Sequence, residues 1–241
     1  MVTIGLPVYN AERWIGEAIE SILKQTYGDW ELIVTIDELG VRSEVLAAIE
    51  RAFLCSWQDD EALAEGKRSL DERIRIIADG EHRGISARIN QQVAMARGEY
   101  FARMDADDVM LPERLALQIK YLQEHPEVDV CGTGAGEWTF IHPSVMGRTE
   151  WFREHPYRSE CDGCEDWDLW TRTRKISTFG FLQDPLIIYR RPEKFDKEKY
   201  LLRRRQGRTA IRMNRSNLSL VRYYYLLADS YAKSLYTICF R

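Results

Sequence analysis

Residues 99–108, EYFARMDADD, place an apolar and aromatic run directly before three carboxylates, those of Asp105, Asp107 and Asp108. The run over 99–105 predicts a buried strand, so the carboxylates emerge where that strand ends. Like charges this close repel one another, and a carboxylate beside a core is costly. A positive partner is therefore expected among them. A divalent metal ion is the simplest candidate, because hard cations take oxygen ligands.

The rest of the first 132 residues extends this strand into an alternating pattern. Further apolar or β-branched runs predict strands over 2–6, 31–37, 73–77 and 128–132. Between them, apolar residues fall at helical spacing, as Ile85, Ile89 and Val93 do. Alternating strands and helices predict an α/β fold with a mostly parallel central sheet and helices on both faces.

The polar motifs of this region follow the predicted strands. PVYN comes after the first strand, ID ends the second, and DADD comes after the fourth. In open α/β sheets, ligands bind at the carboxyl ends of the strands. We therefore expect the three motifs to lie on one rim of the sheet and to form a single site.

Beyond residue 136 the pattern is less regular. Residues 137–146 are a candidate strand, and residues 185–191, PLIIYRR, predict another. Residues 165–175, EDWDLWTRTRK, predict a helix whose acidic start suits the helix dipole. Residues 197–240 predict two helices joined near 214–217.

Composition favours one large α/β domain, since the chain has 241 residues of which 45% are hydrophobic. The net charge of −4 argues against nucleic acid as a partner of the whole chain. The charge is uneven, however. From Arg190 to the C-terminus there are 14 basic and 4 acidic residues, a net charge of +10. This basic tail is expected to meet an anionic partner.

Cysteine usage and the N-terminal sequence indicate a reduced, cytoplasmic compartment. Five scattered cysteines are too few for a disulfide scaffold, and Cys161-Asp162-Gly163-Cys164 lacks the second ligand pair of a zinc site. The N-terminus enters a strand directly and shows no signal peptide. The sequence contains no run of 18 apolar residues, so no membrane span is expected.

Several stretches in order resemble the family 2 glycosyltransferases of GT-A fold. VTIGLPVYNAERWIGEAIESILKQTYGDWELIV is similar to the opening of that family, and residues 84–132, from GISARINQQ to EVDVCG, are similar to its central segment. IHPSVM, CEDWDLWTRT and PLIIYR resemble later landmarks. Each motif alone is weak, but together they are specific, and the match spans residues 1–190.

The resemblance implies a domain division and a reaction. Residues 1–190 would be a GT-A (Rossmann-like) catalytic domain, with a nucleotide-sugar half at 1–108 and an acceptor half at 109–190. Residues 191–241 would be a basic helical tail. The implied reaction moves a sugar from a nucleotide diphosphate, usually UDP, to a hydroxyl of a glycan or lipid-linked acceptor. Inversion at the anomeric carbon is implied, and Mn²⁺ or Mg²⁺ is the implied cofactor.

The resemblance also implies roles for individual residues. Asp37 would bind the uracil, Arg88 and Asn90 would lie beside the diphosphate or sugar, and Asp166 would be the catalytic base with Glu165 as the alternative. The metal would be held by Asp107 and Asp105 of the DxD motif, with Asp108 as a further candidate. The remaining donor-binding positions would be Pro7, Tyr9, Asn10, Glu12 and Ala106.

Other interpretations remain open at this stage. DADD suits a turn that caps the next helix, Glu165-Asp166 suits a plain helix start, and His142 suits either the acceptor site or a turn. The tail over 197–240 packs on the catalytic domain, lies on an anionic membrane surface, or forms a homodimer contact, and we favour packing.

Two other function classes compete with the glycosyltransferase. One is a sugar-nucleotide nucleotidyltransferase, which would need a glycine-rich basic loop that LPVYNAERW lacks. The other is a non-catalytic nucleotide-sugar binding module, which would have no use for an acceptor-side carboxylate at 165–166.

Overall fold

The computed structural model describes residues 1–37, 42–56, 72–133, 140–191 and 194–240. The sequence segment 38–72 is longer than the corresponding segment of the family that the chain resembles. Most of it lies outside the described residues. The same holds for residues 134–139, within the candidate strand at 137–146, and for residues 192–193.

The first 132 residues alternate between strands and helices, as the sequence predicts. The strands are β1 Val2–Val8, β2 Trp30–Ile36, β3 Ile74–Ile77, β4 Tyr100–Arg103, β5 Val109–Met110 and β6 Val130–Gly132. The helices are α1 Ile15–Leu23, α2 Arg42–Ser56, α3 Ile85–Met95 and α4 Arg114–Glu124. Each helix lies between two strands that it connects.

The C-terminal part adds shorter strands and longer helices. The strands are β7 Met146–Arg148, β8 Phe179–Phe181 and β9 Ile187–Ile188. The helices are α5 Thr149–Glu154, α6 Glu165–Thr173, α7 Lys197–Met213 and α8 Leu220–Phe240. The predicted helix at 165–175 and the two predicted tail helices are confirmed.

The central sheet has seven strands in the order β3-β2-β1-β4-β7-β6-β8. Neighbouring strands from β3 to β4 pair in parallel, whereas β7 runs antiparallel to both β4 and β6. The predicted fold class, a mostly parallel sheet flanked by helices, is confirmed. Because β1, β2 and β4 are parallel, their carboxyl ends share one edge, as the positions of PVYN, ID and DADD required.

Two of the predicted strands lie elsewhere or are shorter. The strand of the 137–146 segment begins only at Met146, because His142–Ser144 forms a 3₁₀ turn that starts with the His-Pro pair. The strand at 185–191 is reduced to β9, which pairs antiparallel with β5 outside the main sheet. This two-stranded pair places the segment after β9 beside the acidic motif, which lies between β4 and β5.

Two apolar clusters cover the two faces of the sheet. Along β4, Tyr100 and Ala102 join the cluster formed with α1, α2 and α4, whereas Phe101 joins the cluster formed with α3, α5 and α6. This is the alternation that a strand buried on both faces requires. The second cluster is aromatic, with Trp151 and Trp170 stacked at 6.2 Å between ring centroids.

Gly98 lies where the chain approaches β1 before entering β4. Its N–H donates to Thr3 Oγ1 at 2.8 Å, and an added Cβ would lie 2.5 Å from the Thr3 nitrogen. Gly98→Ala is therefore expected to destabilise the protein by about 1–3 kcal/mol, the usual range for overpacking. Urea unfolding measures this effect. Gly28→Ala is the control, because nothing lies within 4 Å of an added Cβ there. Equal unfolding midpoints for the two variants would contradict the prediction.

The tail packs on the rest of the protein through α7. Ala210 and Ile211 are buried, and the Asn214 amide that follows the helix donates to Asp168 Oδ1 at 2.6 Å. Helix α8 packs on α7 through Ser230 and Ser234, which lie beside the Arg208 guanidinium. These contacts agree, for α7, with the interpretation favoured from the sequence, in which the tail packs on the rest of the protein. The outer face of α8 carries exposed side chains, Leu220, Val221, Tyr224, Tyr225, Tyr231, Leu235, Tyr236 and Ile238.

Candidate active site at the carboxyl ends of the strands

The acidic motif forms a compact cluster directly after β4. One carboxylate oxygen from each of Asp105, Asp107 and Asp108 lies within 4.8 Å of the others. Asp105 makes an ion pair with Arg103, whose Nη2 lies 2.6 Å from Asp105 Oδ1. The Arg190 backbone N–H donates to Asp108 Oδ1 at 2.7 Å. Arg103, at the end of β4, thus supplies part of the positive charge expected beside the three carboxylates.

Asp108 is the least satisfied member of the cluster. It is fully buried, and its Oδ2 has no hydrogen-bond partner among the described residues. Burial raises the pKa of Asp108 to about 7, with the Arg190 N–H acting in the opposite direction. Burial, followed by the charge of Asp105, also raises the pKa of Asp107. A cation would relieve this strain, and an all-oxygen ligand set of this kind fits Mg²⁺ or Mn²⁺.

The raised pKa of Asp108 predicts a pH-dependent stability of the metal-free protein. Between the ordinary pKa near 4 and the folded value near 7, the folded state holds a proton that the unfolded state has released. The free energy of unfolding therefore falls as the pH rises through this window. Asp108→Asn cannot ionise, so it should be more stable than the wild type at pH 8 by about 1–3 kcal/mol, with little difference at pH 4.

Urea unfolding of both proteins in EDTA, at pH 4 and pH 8, measures this difference. The wild type is its own control at pH 4, where Asp108 is protonated in the folded state. An equal pH dependence in the two proteins would show that Asp108 ionises normally.

The end of β1 supplies an exposed, polar edge beside this cluster. Pro7 is half-buried within β1, Tyr9 is 56% exposed, and Asn10 takes a positive φ of 49°. The Tyr9 ring lies 5.0 Å from the His82 ring, measured between centroids. Glu12 follows and is half-buried. A planar ligand at this edge would meet the Tyr9 ring and the left-handed turn at Asn10.

Asp37 directly follows β2 and is a buried acceptor for the neighbouring loop. Its Oδ1 accepts the Arg83 N–H at 2.6 Å, and its Oδ2 accepts the Gly84 N–H at 3.1 Å. Arg88 Nε donates to Oδ1 at 2.9 Å. The carboxylate that the resemblance assigns to the uracil thus also fixes the loop that follows β3.

Arg88 and Asn90 make their hydrogen bonds to the protein itself. Arg88 is fully buried and donates to Asp79, which holds the pKa of Asp79 below its usual range. Asn90 Nδ2 donates to the Tyr157 carbonyl at 2.8 Å, and its Oδ1 accepts the Tyr157 N–H at 2.9 Å. These contacts link the loop after β3 and the segment around Tyr157 to α3, and the role beside the diphosphate or sugar that the resemblance implies for both residues stays a prediction.

Glu165 and Asp166 begin α6 but differ in their surroundings. Glu165 is buried, and its Oε2 accepts the Gly163 N–H at 2.7 Å. Asp166 is half-buried, and its Oδ1 accepts the Trp167 N–H at 2.7 Å. Asp166 is therefore the carboxylate of the pair with access to a ligand.

His142 belongs to the buried support of this region. Its Nε2 lies 2.9 Å from the Tyr157 hydroxyl, and its Nδ1 lies 3.6 Å from Glu165 Oε1. Burial, followed by the charge of Arg103, lowers the pKa of His142 to about 3, so the imidazole is neutral. The turn interpretation of His142 is the one that fits these contacts.

A sequence profile described as Glycosyl transferase family 2 matches residues 3–48 and 55–181. The chain belongs to this family. EpsE of Bacillus subtilis (strain 168), named as a glycosyltransferase, is 29% identical to it over 217 residues, which are 78% of this chain and 72% of that protein. The Escherichia coli UDP-Glc:alpha-D-GlcNAc-diphosphoundecaprenol beta-1,3-glucosyltransferase WfgD is 29% identical over 122 residues, which are 51% of this chain and 41% of that protein.

A solved structure shares the fold of this glycosyltransferase. It is the mannosyltransferase PcManGT of Pyrobaculum calidifontis in complex with GDP-Man and Mn²⁺. The TM-score is 0.70 at 17% sequence identity, over 99% of this chain and 70% of the other. The GT-A architecture expected from the resemblance is confirmed.

Arg103 and Arg190 contact the acidic cluster of this glycosyltransferase, a role for which the sequence did not single them out. Arg103 is buried and, besides pairing with Asp105, interacts electrostatically with Tyr157 and Glu165. Arg190 Nη1 donates to the Asp107 carbonyl at 2.9 Å, and its guanidinium pairs with Glu17. The only sequence signal for Arg103 was its place at the end of the strand before DADD.

The CxxC pair of the glycosyltransferase consists of free thiols. Burial raises the pKa of Cys161 to about 12 and that of Cys164 to about 11. Neither thiol is therefore activated as a thiolate at neutral pH. Among the helices described, none is both long enough and apolar enough to cross a membrane.

Proposed function

We propose that this glycosyltransferase is a metal-dependent, inverting enzyme. It would transfer a sugar from a nucleotide diphosphate, with UDP favoured, to an acceptor hydroxyl during glycan or polysaccharide assembly. The observation that carries the proposal is the grouping of Asp105, Asp107 and Asp108 at the end of β4, with a buried Asp108 oxygen that no described group satisfies. The contacts of Asp105 with Arg103 and of Asp108 with the Arg190 N–H leave the cluster with one buried oxygen, unpaired among the described residues, that a metal ion would satisfy.

The donor would lie along the rim formed by the ends of β1, β2 and β4. Tyr9, Asn10 and Asp37 would hold the nucleoside, in line with the resemblance. Asp107 and Asp105 would hold Mn²⁺ or Mg²⁺, with Asp108 as a further ligand. When bound, the ion supplies Lewis-acid stabilisation of the negative charge on the leaving diphosphate.

Asp166 would act as the general base on the acceptor side. It would take the proton of the acceptor hydroxyl as the oxygen bonds to the anomeric carbon and the diphosphate leaves with the electron pair of the broken bond. A single displacement of this kind inverts the configuration. The half-buried position of Asp166 supports this role over that of Glu165. Glu165 is buried, its Oε2 accepts the Gly163 N–H, and its Oε1 lies 3.6 Å from His142 Nδ1.

Calorimetric titration tests the donor part of the proposal. UDP, GDP, CDP and TDP are each titrated with Mn²⁺ and with EDTA. Binding of one nucleotide that requires Mn²⁺ is the expected result, and it would also identify the base. Binding of none would overturn the proposal, although the membership of the family would stand.

The tail would bring the enzyme to its acceptor at a cytoplasmic membrane surface. The E. coli relative WfgD is named for an acceptor linked to diphosphoundecaprenol. Exposed aromatic residues on the outer face of α8, within a tail of net charge +10, suit an anionic bilayer. Sedimentation with anionic vesicles at low and high salt tests this contact. Absence of binding at both salt concentrations would leave homodimer formation as the remaining use of this face.

A further inference from the structure

A cavity of about 400 Å³ lies between the start of α6 and the two tail helices. Cys164 and Trp167, which flank Glu165 and Asp166 in the sequence, line one side. Tyr200, Arg203, Arg204 and Gly207 of α7 line another, and α8 closes it through Leu226, Asp229 and Ser230. Asp166 itself is not among the described lining residues, but the Cys164 thiol, which is, lies within electrostatic range of the Asp166 carboxylate. The cavity lies on the side of the fold that the tail covers.

The cavity carries positive charge that the described residues do not neutralise. Neither Arg203 nor Arg204 has an ion pair in the described part of the chain, and the Arg204 guanidinium lies 5.1 Å over the Tyr200 ring. Asp229 is the one acidic residue in the described lining, and Lys233 pairs with it at 2.9 Å. Two guanidinium groups at such a wall suit a phosphate, which arginine binds through two parallel N–H groups.

Two glycines allow α7 to lie close to the loop before α6. Gly163 has a positive φ of 84°, and an added Cβ there would lie 2.5 Å from Gln206 Oε1 and 3.4 Å from Arg203 Cγ. Gly207 faces Cys164, whose Sγ would lie 3.4 Å from an added Cβ. These contacts hold the stem of Arg203 beside the loop. The Cys164 thiol interacts electrostatically with Asp166 and with both Arg203 and Arg204, so the arginines and the proposed base all lie near this thiol.

We infer that this cavity binds the anionic group of the acceptor, and that the acceptor is a glycosyl phosphate or diphosphate. Arg203 and Arg204 bind the phosphate, while Trp167 offers a ring face on which the acceptor sugar packs. The volume lies within the usual range for small-molecule sites, about 300–1,000 Å³. The inference rests on the proposed function, because it takes Asp166 as the group that meets the acceptor hydroxyl.

The three consecutive arginines of α7 provide a matched test. Arg203 and Arg204 line the cavity, whereas the next residue, Arg205, is exposed and does not. The variants are Arg203→Gln/Arg204→Gln and, as control, Arg205→Gln. Gly207→Leu is a second variant, because its side chain would fill the cavity while Leu favours the helix more than Gly does.

The probes are N-acetylglucosamine, its 1-phosphate, and its 1-diphosphate esterified with a short alkyl chain. Each is titrated calorimetrically in EDTA, so that the donor site does not take up phosphate through a metal ion. The wild type and Arg205→Gln are expected to bind the phosphorylated probes about 10- to 100-fold more tightly than the neutral sugar. The double variant and Gly207→Leu should lose this preference while keeping metal-dependent nucleotide binding.

The outcomes separate the inference from the proposed function. Preference for the phosphorylated probes retained in both cavity variants, or absent in the wild type, would overturn the inference. Absence of metal-dependent nucleotide binding in the wild type would overturn the proposed function instead. If the cavity binds phosphate, tighter binding of the alkyl diphosphate supports a lipid-linked acceptor, and equal binding of the two phosphorylated probes supports a water-soluble sugar phosphate.

Discussion

Asp166→Asn is expected to lower the rate of glycosyl transfer by about 10²- to 10⁴-fold, the range that a positioned general base contributes. Asparagine has nearly the same shape, and it can still accept the Trp167 N–H through its carbonyl oxygen. It cannot take up a proton, however. The measurement is kcat at saturating donor, together with the affinity for the donor nucleotide, which should stay near that of the wild type.

Two further variants make the Asp166 result specific. Glu160→Gln changes an exposed carboxylate five residues before Glu165 and should leave the rate unchanged. Glu165→Gln tests the alternative base. If it lost transfer while Asp166→Asn remained fully active, the two assignments would have to be exchanged. Full activity in both variants would show that neither carboxylate is the general base.

Asp107→Ala is expected to weaken metal-dependent nucleotide binding by at least about 10- to 100-fold. This is the loss that removal of an outer-shell partner causes at a metal site, and a direct ligand should matter at least as much. Asp107 suits this test because it is exposed and has no ion pair among the described residues. Its removal should therefore leave the fold intact. Asp105 is a poorer choice, since its loss would leave the buried Arg103 without its partner.

Calorimetric titration of the nucleotide with and without Mn²⁺ measures the Asp107 effect. Asp184→Ala is the control, because Asp184 is an exposed carboxylate in the turn before β9 and lies outside the cluster. Wild-type affinity in Asp107→Ala would remove this residue from the metal site. Loss of nucleotide binding both with and without Mn²⁺ would indicate a contact with the nucleotide itself.

The sequence predicted the sheet because its signals are local. Short apolar runs predict the strands, and the segments between them, whose apolar residues recur at helical spacing, predict the helices. Strands connected by helices pair in parallel. The position of DADD on the rim was predictable for the same reason. The antiparallel strand β7 was not, because the 3₁₀ turn at His142–Ser144 moves its start to Met146.

The environment of each site residue depends on pairs distant in the chain. Asp108 and the N–H that holds it are 82 residues apart, and Asp37 and Arg88 are 51 apart. No periodicity reveals that Arg88 is fully buried or that Asp108 keeps an unpaired oxygen. Motif resemblance names candidate residues, whereas their burial and partners come only from the assembled fold.

The way α8 is attached sets an order of stability within the molecule. Its buried side chains are the small polar residues Ser230, Ser234 and Thr237, and most of its large apolar side chains are exposed, with Leu226 and Leu227 half-buried. Detaching α8 therefore exposes little apolar surface, whereas opening β1 exposes Val2, Ile4 and Leu6. Amide hydrogens of α8 should exchange with solvent through local opening, and those of β1 only through global unfolding. The wall that α8 gives to the cavity is thus expected to open more readily than the strand β1 at the centre of the sheet.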